Sequence, residues 1–153
     1  MCGDGKNIRG AGVAAVADRH PANGAAETAA ITGSFIALFD CLHSLVDRKI
    51  LTEIPITDFV AAVSLGMVKD DILMDLCFAE DSAAQVDMNV VMNSSGKFIE
   101  IQSSAEGYPF YREKFDTMLD KASKAISEII GYQKKILSRI IQTQNTGIMS
   151  LTG

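Results

Sequence analysis

The fold is decided by one stretch, residues 73–92, which reads LMDLCFAEDSAAQVDMNVVM. Two apolar, strand-like runs flank a short polar segment that carries Glu80 and Asp81, and Asp87 follows it. On one continuous helix, six residues would turn about 600° and leave Asp81 and Asp87 about 120° apart. The two side chains can therefore share one small site only if the chain leaves a strand, bends within residues 79–85 and enters the next strand.

Two carboxylates between strands suit Mg²⁺, which binds one or two carboxylates, keeps several waters and takes its other ligands from substrate phosphates. The same spacing also fits a solvated acidic loop between two strands. On spacing alone the solvated loop is the commoner outcome, so the spacing leaves both interpretations open.

Two helices are predicted on either side of this region. Residues 27–47 repeat apolar side chains at three- and four-residue intervals, which is typical of a helix with one apolar face: Phe35, Leu38, Phe39, Leu42, Leu45 and Val46. A longer helix is predicted over residues 111–141, with a buried stripe at Phe115, Met118, Leu119, Ala122, Ile126, Ile129, Ile130, Gln133, Leu137 and Ile140.

Four strands are predicted over residues 59–68, 72–78, 86–92 and 97–103, separated by short turns. Together the elements predict an α+β fold, in which a mixed or antiparallel four-stranded sheet is packed by two main helices. Residues 1–26 are rich in glycine and alanine without helical or strand periodicity, and we expect a loop or disorder there. Residues 27–141 form the compact region, and residues 142–153 are predicted to be a flexible tail.

Composition limits the classes of function. The chain of 153 residues is 48% hydrophobic, which suffices for one compact domain, and it has no apolar run of 18 residues, so no membrane span is expected. Cys2, Cys41 and Cys77 form no Cys-x-x-Cys pair, which predicts free thiols in a reducing cytoplasm. The net charge of −5 argues, taken alone, against a free-standing nucleic-acid binder.

The order of the motifs adds a resemblance. Residues 28–35 (TAAITGSF), 60–66 (VAAVSLG), 78–92 and 100–107 (EIQSSAEG) resemble, in order and spacing, segments of bacterial ribonuclease PH. The resemblance runs from about Ala22 to about Ile141. It implies the second half of the ribonuclease PH domain, and the family's activity is phosphorolysis, the 3′-to-5′ removal of nucleotides from RNA by inorganic phosphate and a divalent metal. The implied substrate is the 3′ end of tRNA precursors, and the implied assembly is a homo-oligomeric ring in the cytoplasm, without DNA or membrane partners.

The resemblance also assigns roles to individual residues. Asp81 and Asp87 stand where the family binds Mg²⁺ or Mn²⁺ and stabilises charge, so both are candidate catalytic and metal-binding residues. Glu106 lies in the motif that supports this site, although an exposed loop carboxylate explains it equally well. The family's phosphate-binding Gly-Thr-Arg is replaced here by Ala25, Ala26 and Glu27, which removes an arginine fork and adds the wrong charge.

Three hypotheses therefore stay open. The chain is a phosphorolytic exoribonuclease whose phosphate site is impaired, a non-catalytic ring or RNA-binding subunit similar to those of exosomes, or a degenerate remnant. The resemblance covers only the second half of the family's domain. We therefore expect this chain to expose surface that a full domain buries, and either to self-associate or to be poorly soluble.

Overall fold

The computed structural model describes residues 24–149, which form one sheet and three helices. The predictions for residues 1–23 and 150–153 lie outside this range. In chain order the elements are α1 (Gly24–Asp47), β1 (Val60–Val68), β2 (Asp71–Met74), α2 (Phe78–Asp81), β3 (Val86–Asn93), β4 (Phe98–Ala105) and α3 (Arg112–Met149). The predicted α+β class with four strands and two main helices is confirmed.

The sheet has the order β2-β1-β3-β4, and every neighbouring pair is antiparallel. β1 and β3 form its centre, paired from Val60–Asn93 to Met67–Val86. This register places Asp87 opposite Gly66 on one side and opposite Ser104 on the other. The sheet is therefore the antiparallel alternative of the two that the sequence allowed.

One face of the sheet packs against α3. Alternate residues of β3 are buried there, together with the predicted stripe of α3, in a single cluster that includes Val86, Met88, Val90, Met92, Met118, Ala122, Ile126 and Ile130. Gln133 and Leu137, further along the predicted stripe, are also buried. From Phe115 to Leu137 the 3.6-residue period of α3 therefore predicted its buried side correctly, because this helix is mostly polar on its other faces. The predicted burial of Ile140 lies outside the described side chains.

The opposite face packs against α1 through Phe35, which is buried with Val60, Ala62, Val91 and Leu137. Ile31, Ile36 and Phe39 are partly buried beside it, whereas Leu38, which we placed on the apolar face, is 40% exposed. The reason is that α1 has apolar residues all around its circumference. Periodicity alone therefore could not select the face that meets the sheet.

Both long helices extend beyond their predicted ends. α1 begins at Gly24 rather than at Glu27, so Ala25 and Ala26 are helical. α3 continues to Met149, so residues 142–149 are helical where we predict a flexible tail. No proline interrupts this last stretch, and a helix that is already formed continues at little cost per residue.

α1 is long and apolar enough to cross a membrane by length and composition alone. This qualifies the expectation, drawn from the lack of a continuous apolar run, that no span exists. The same test is passed by helices that pack on the core of a protein. Here α1 lies on the sheet through Phe35.

The open edge of β1 is closed by side chains from both long helices. β2 pairs only with residues 65–68 of β1. Beyond that, the Gln133 Nε2 group donates hydrogen bonds to the carbonyls of Val60 (3.0 Å) and Thr32 (3.2 Å), and the Ala62 N–H donates to Thr32 Oγ1 (3.2 Å). These bonds fix α1, α3 and β1 relative to one another, since buried backbone groups require partners.

Leu76 packs where Gly66 has no side chain. A Cβ added to Gly66 would lie 2.5 Å from Leu76 Cδ2 and 3.0 Å from Leu76 Cδ1, and Leu76 is buried. Close packing of Leu76 on β1 therefore holds the segment that leads into α2. Gly33 on α1 has no atom within 4 Å of an added Cβ.

The Gly66→Ala substitution should lower the free energy of unfolding by about 1–3 kcal/mol, because overpacking forces Leu76 out of its position. The matched control, Gly33→Ala, should raise it by about 0.5–1 kcal/mol, because alanine favours the helix. Urea unfolding followed by circular dichroism measures both. Equal effects of the two substitutions would contradict the packing described here.

Candidate functional site

The predicted bend between the two strands is a one-turn helix, α2. The Cys77 carbonyl accepts hydrogen bonds from the N–H groups of Glu80 (3.0 Å) and Asp81 (2.9 Å), and the Cys77 N–H donates to Glu80 Oε2 (2.9 Å). The hydrogen bonds from Cys77 lower the pKa of Glu80. The side chain of Glu80 therefore caps the start of the turn, and this capping role distinguishes Glu80 from Asp81.

The ends of three strands meet beside α2. The Gln85 N–H donates to the Met67 carbonyl (2.7 Å), and the Glu106 N–H donates to the Gln85 carbonyl (2.9 Å). These two bonds align the start of β3 with the end of β1 and with the residue after β4. Glu106 is thereby brought near Asp87, although the two residues are far apart in the sequence.

Asp87 is a partly buried carboxylate at this end of the sheet. Its partial burial raises its pKa above the ordinary value of 3.8, and the negative charges of Asp81 and Glu106 raise the pKa further. Its Oδ1 atom is buried and has no hydrogen-bond partner. The fold therefore brings together the three carboxylates that the sequence singled out, in an arrangement that is electrostatically unfavourable without a cation.

The geometry limits the kind of metal that these residues could hold. Within residues 24–149, no three His, Cys, Asp or Glu side chains are arranged to bind one ion. A structural site built from protein ligands alone is therefore not formed in this range. Mg²⁺ needs only one or two carboxylates when waters and phosphates complete its shell, and the side chains of Asp81 and Asp87 are ligands of this chemical type.

The first turn of α1 lies on the same face of the sheet as Asp87. A Cβ added to Gly24 would lie 2.6 Å from Asn89 Oδ1 and 2.9 Å from Ser64 Oγ, so the helix begins in direct contact with β3 and β1. Asn89 follows Asp87 by two residues and shares its face. Ala25, Ala26 and Glu27 form this first turn, and an N-terminal turn favours negative charge, whether from Glu27 or from an anion.

Sequence reasoning missed Asn89 and Ser64 as neighbours of the candidate site. Part of the pattern that could have identified them is visible in the sequence, because Asp87 and Asn89 alternate with the apolar residues of β3. Ser64 lies opposite Asn89 on β1, and Gln102 lies opposite Asn89 on β4. The polar row across the sheet becomes visible only once the register is known.

Solved structures share this fold. An Archaeoglobus fulgidus exosome with RNA bound to its active site contains a chain with a TM-score of 0.56 and 20% identity, over 72% of this chain and 44% of that one. Rrp46 from rice, Oryza sativa, has a TM-score of 0.57 and 19% identity, over 76% of this chain and 50% of that one. The chain therefore has the fold of about half of a ribonuclease PH-like subunit of these exosome proteins.

Sequence comparisons identify the family to which the chain belongs. Residues 58–125 match the model of the 3′ exoribonuclease family, domain 2. Ribonuclease PH of Moorella thermoacetica is 49% identical over 126 residues, which cover 82% of this chain and 50% of that protein. Ribonuclease PH of Syntrophomonas wolfei is 49% identical over 116 residues, which cover 76% of this chain and 48% of that protein. The chain belongs to the ribonuclease PH family and contains its C-terminal part, and it spans about half the length of these curated relatives.

The raised pKa of Asp87 predicts how the stability of the protein depends on pH. Between the ordinary pKa of 3.8 and the raised one, the folded state binds more protons than the unfolded state, so stability falls as pH rises through this window. Asp87→Asn should therefore stabilise the metal-free protein at pH 7, and this gain should vanish below about pH 4, where both states are protonated. Thermal unfolding in EDTA from about pH 3 to pH 8 measures it.

Asp120→Asn on α3 is the matched control, because it removes an exposed carboxylate away from this group. A gain of the same size and pH dependence in the control would show that net charge, rather than the position of Asp87, is responsible.

Proposed function

We propose that this chain forms the metal-binding side of a phosphorolytic 3′-to-5′ exoribonuclease site of the tRNA nucleotidyltransferase type, with a weakened phosphate-binding side. The observation that carries this proposal is the partly buried Asp87, whose buried Oδ1 has no hydrogen-bond partner, close to the charges of Asp81 and Glu106 and on the sheet face where α1 begins. The relatives named ribonuclease PH and the RNA-bound exosome support the reaction class.

In the proposed reaction, an oxygen of inorganic phosphate attacks the terminal phosphodiester of RNA. The bond from phosphorus to the 3′ oxygen breaks, releasing a nucleoside diphosphate and an RNA shortened by one nucleotide with a free 3′ hydroxyl. Mg²⁺ or Mn²⁺, when bound, would supply positive charge for the oxygens that become negative. The substrate that we propose is the 3′ end of a tRNA precursor.

The chain's own residues would have separate roles in this reaction. Asp81 and Asp87 would hold the ion, and the contact of the start of α1 with Asn89 would set the distance between the ion and the phosphate. Glu106 would support the site through its backbone bond to Gln85, with its negative charge strengthening cation binding. The first turn of α1 offers unpaired N–H groups to phosphate, but Glu27 repels that anion.

The acidity of the chain is compatible with this role. An ion site needs local negative charge whatever the net charge of −5, and RNA contacts in a homo-oligomeric ring would come from several surfaces. We further propose that the ring is cytoplasmic. The second candidate function, a non-catalytic ring or RNA-binding subunit, is favoured by one observation, the presence of Glu27 in the turn that should receive phosphate.

Metal binding can be tested without turnover. Mg²⁺ or Mn²⁺ at millimolar concentration should raise the melting temperature, because an ion that binds only the folded state stabilises it. The increase should disappear in both Asp81→Asn and Asp87→Asn. Asp116→Asn on α3 should keep the full increase, and an equal increase in all four proteins would show non-specific binding.

The proposed phosphate-binding turn is tested by introducing the threonine and arginine side chains of the family. Ala26→Thr combined with Glu27→Arg should raise phosphate-dependent release of nucleoside diphosphates from RNA by at least tenfold, because an arginine fork binds phosphate through two parallel bonds. The control is Glu53→Arg, which makes the same change of charge at an exposed position outside the site. A folded double variant without any gain, while metal still binds, would favour the non-catalytic subunit.

A further inference from the structure

The loop that joins β4 to α3, residues 106–111, crosses the end of the sheet that carries the candidate site. It begins beside β3, where the Glu106 N–H donates to the Gln85 carbonyl (2.9 Å). It leads into the first turn of α3, where Lys114 forms an ion pair with Asp70 (3.2 Å) in the turn between β1 and β2. Both anchoring points lie at the end of the sheet where β1 ends and β3 begins, so the loop passes beside the candidate site.

Two tyrosine rings of this loop project into solvent. Tyr108 is 87% exposed and Tyr111 is 80% exposed, the highest values among the large hydrophobic side chains that the structure describes. Phe110, which lies between them, is partly buried against the core cluster under α3, and Pro109 fixes its own backbone φ. Phe110 therefore anchors the loop, whereas the two tyrosine rings do not pack on the fold and are available to bind a ligand.

The position of Tyr111 is not explained by the helix that follows it. Its carbonyl accepts hydrogen bonds from the N–H groups of Lys114 (3.0 Å) and Phe115 (3.4 Å), so Tyr111 occupies the N-cap position of α3. Serine, threonine, aspartate and asparagine are preferred there, because their short side chains accept hydrogen bonds from the first turn. Residues that break a local rule without a local gain are expected at functional sites.

A cationic side chain follows the second ring. Arg112 is exposed, and its Nε atom lies 3.5 Å from Asp116 Oδ2, which is also exposed. Exposed ion pairs of this kind are weak, so the guanidinium group can exchange this contact for a phosphate. Aromatic rings that stack on bases, together with cations that follow the backbone, are how proteins bind single-stranded nucleic acids.

We propose that Tyr108 and Tyr111 stack on successive unpaired bases at the 3′ end of an RNA, and that Arg112 contacts a phosphate between them. This inference rests on the proposed function, because it takes the terminal phosphodiester to lie at the candidate site. Tyr108 follows Glu106 by two residues, a span of at most about 7 Å. Tyr108 therefore takes the base nearer the 3′ end, and Tyr111 takes the next base upstream.

The chemistry of stacking defines which RNA ends this surface accepts. Every base has an aromatic face, so stacking tolerates any sequence. A base inside a duplex is already stacked on its neighbours and cannot lie on a tyrosine ring. The two rings therefore select RNA whose 3′ end is single-stranded, whatever its sequence.

Intrinsic fluorescence reports directly on these rings, because the chain has three tyrosines and no tryptophan. In the Tyr132→Phe variant all tyrosine emission comes from Tyr108 and Tyr111. A single-stranded RNA of about ten nucleotides should quench this emission, because a stacked base quenches tyrosine. A blunt-ended duplex of the same length should not. Mg²⁺ and a phosphate-free buffer keep the RNA from being consumed.

Affinity for the same RNA, measured by fluorescence anisotropy, tests each ring. Tyr108→Ala and Tyr111→Ala should each weaken binding by about tenfold or more, whereas Tyr108→Phe keeps the ring and should stay within about twofold of the wild type. The matched control is Tyr132→Ala, which removes an exposed tyrosine of α3 and should leave binding unchanged. Circular dichroism shows that each variant is folded. A Tyr108→Phe variant as weak as Tyr108→Ala would overturn stacking in favour of a contact through the hydroxyl group.

Abasic nucleotides test the order of the two contacts. An abasic nucleotide at each of the last few positions of the RNA removes one base at a time. The position whose loss weakens binding by the wild type but not by Tyr108→Ala should lie one nucleotide nearer the 3′ end than the position coupled in this way to Tyr111. The reverse order would overturn the placement of Tyr108 beside the candidate site.

Failure of this proposal is distinguishable from failure of the proposed function. A wild type that binds no single-stranded RNA up to about 1 mM, or that binds it without quenching Tyr108 and Tyr111, would overturn the proposal. Stabilisation by Mg²⁺ would still support the metal site in that case. Quenching without release of nucleoside diphosphates after phosphate is added would contradict the phosphorolytic reaction and would support the base-binding surface.

Discussion

The pairing of β1 with β3 is the constraint on which the rest of this structure depends. Their register sets Asp87 opposite Gly66, and the missing side chain of Gly66 admits Leu76, which anchors the chain before α2. The same pairing places Ser64 and Asn89 together under the start of α1. A slip of one residue would turn every side chain of β3 to the other face, burying Asp87 among the methionines and moving Val90 to the face that Asp87 and Asn89 occupy.

The candidate site combines a carboxylate that burial penalises with two further negative charges. Asp87 has a raised pKa and an unpartnered buried oxygen, whereas Glu80, only one residue from Asp81, has a lowered pKa because Cys77 donates hydrogen bonds to it. Neighbouring carboxylates thus have opposite environments. One closes a turn, and the others create a negative potential that a cation would relieve.

The chain spans about half the length of its curated relatives. Two parts of its surface, the helix α1 and the outer edge of β4, differ in chemistry. α1 is apolar along most of its length but buries few residues, and no strand within residues 24–149 pairs with the outer edge of β4. Both features are expected of a unit of sheet and helices that exposes surface to which another protein segment can bind. They differ in chemistry, because the helix offers contacts through its mostly apolar side chains, whereas the strand edge also directs backbone donors and acceptors outward.

The sequence by itself determined the elements and their local roles. The strands on either side of the bend and the buried stripe of α3 follow from alternation and helical period, which are properties of neighbouring residues, whereas the roles of Asp81 and Asp87 were implied by the resemblance to ribonuclease PH. Only the tertiary structure decided which side of α1 is buried, that Glu106 joins Asp87, that Asn89 meets Gly24 and that β4 remains an exposed edge. These features depend on contacts between residues far apart in the chain, and no local period records the register that brings them together.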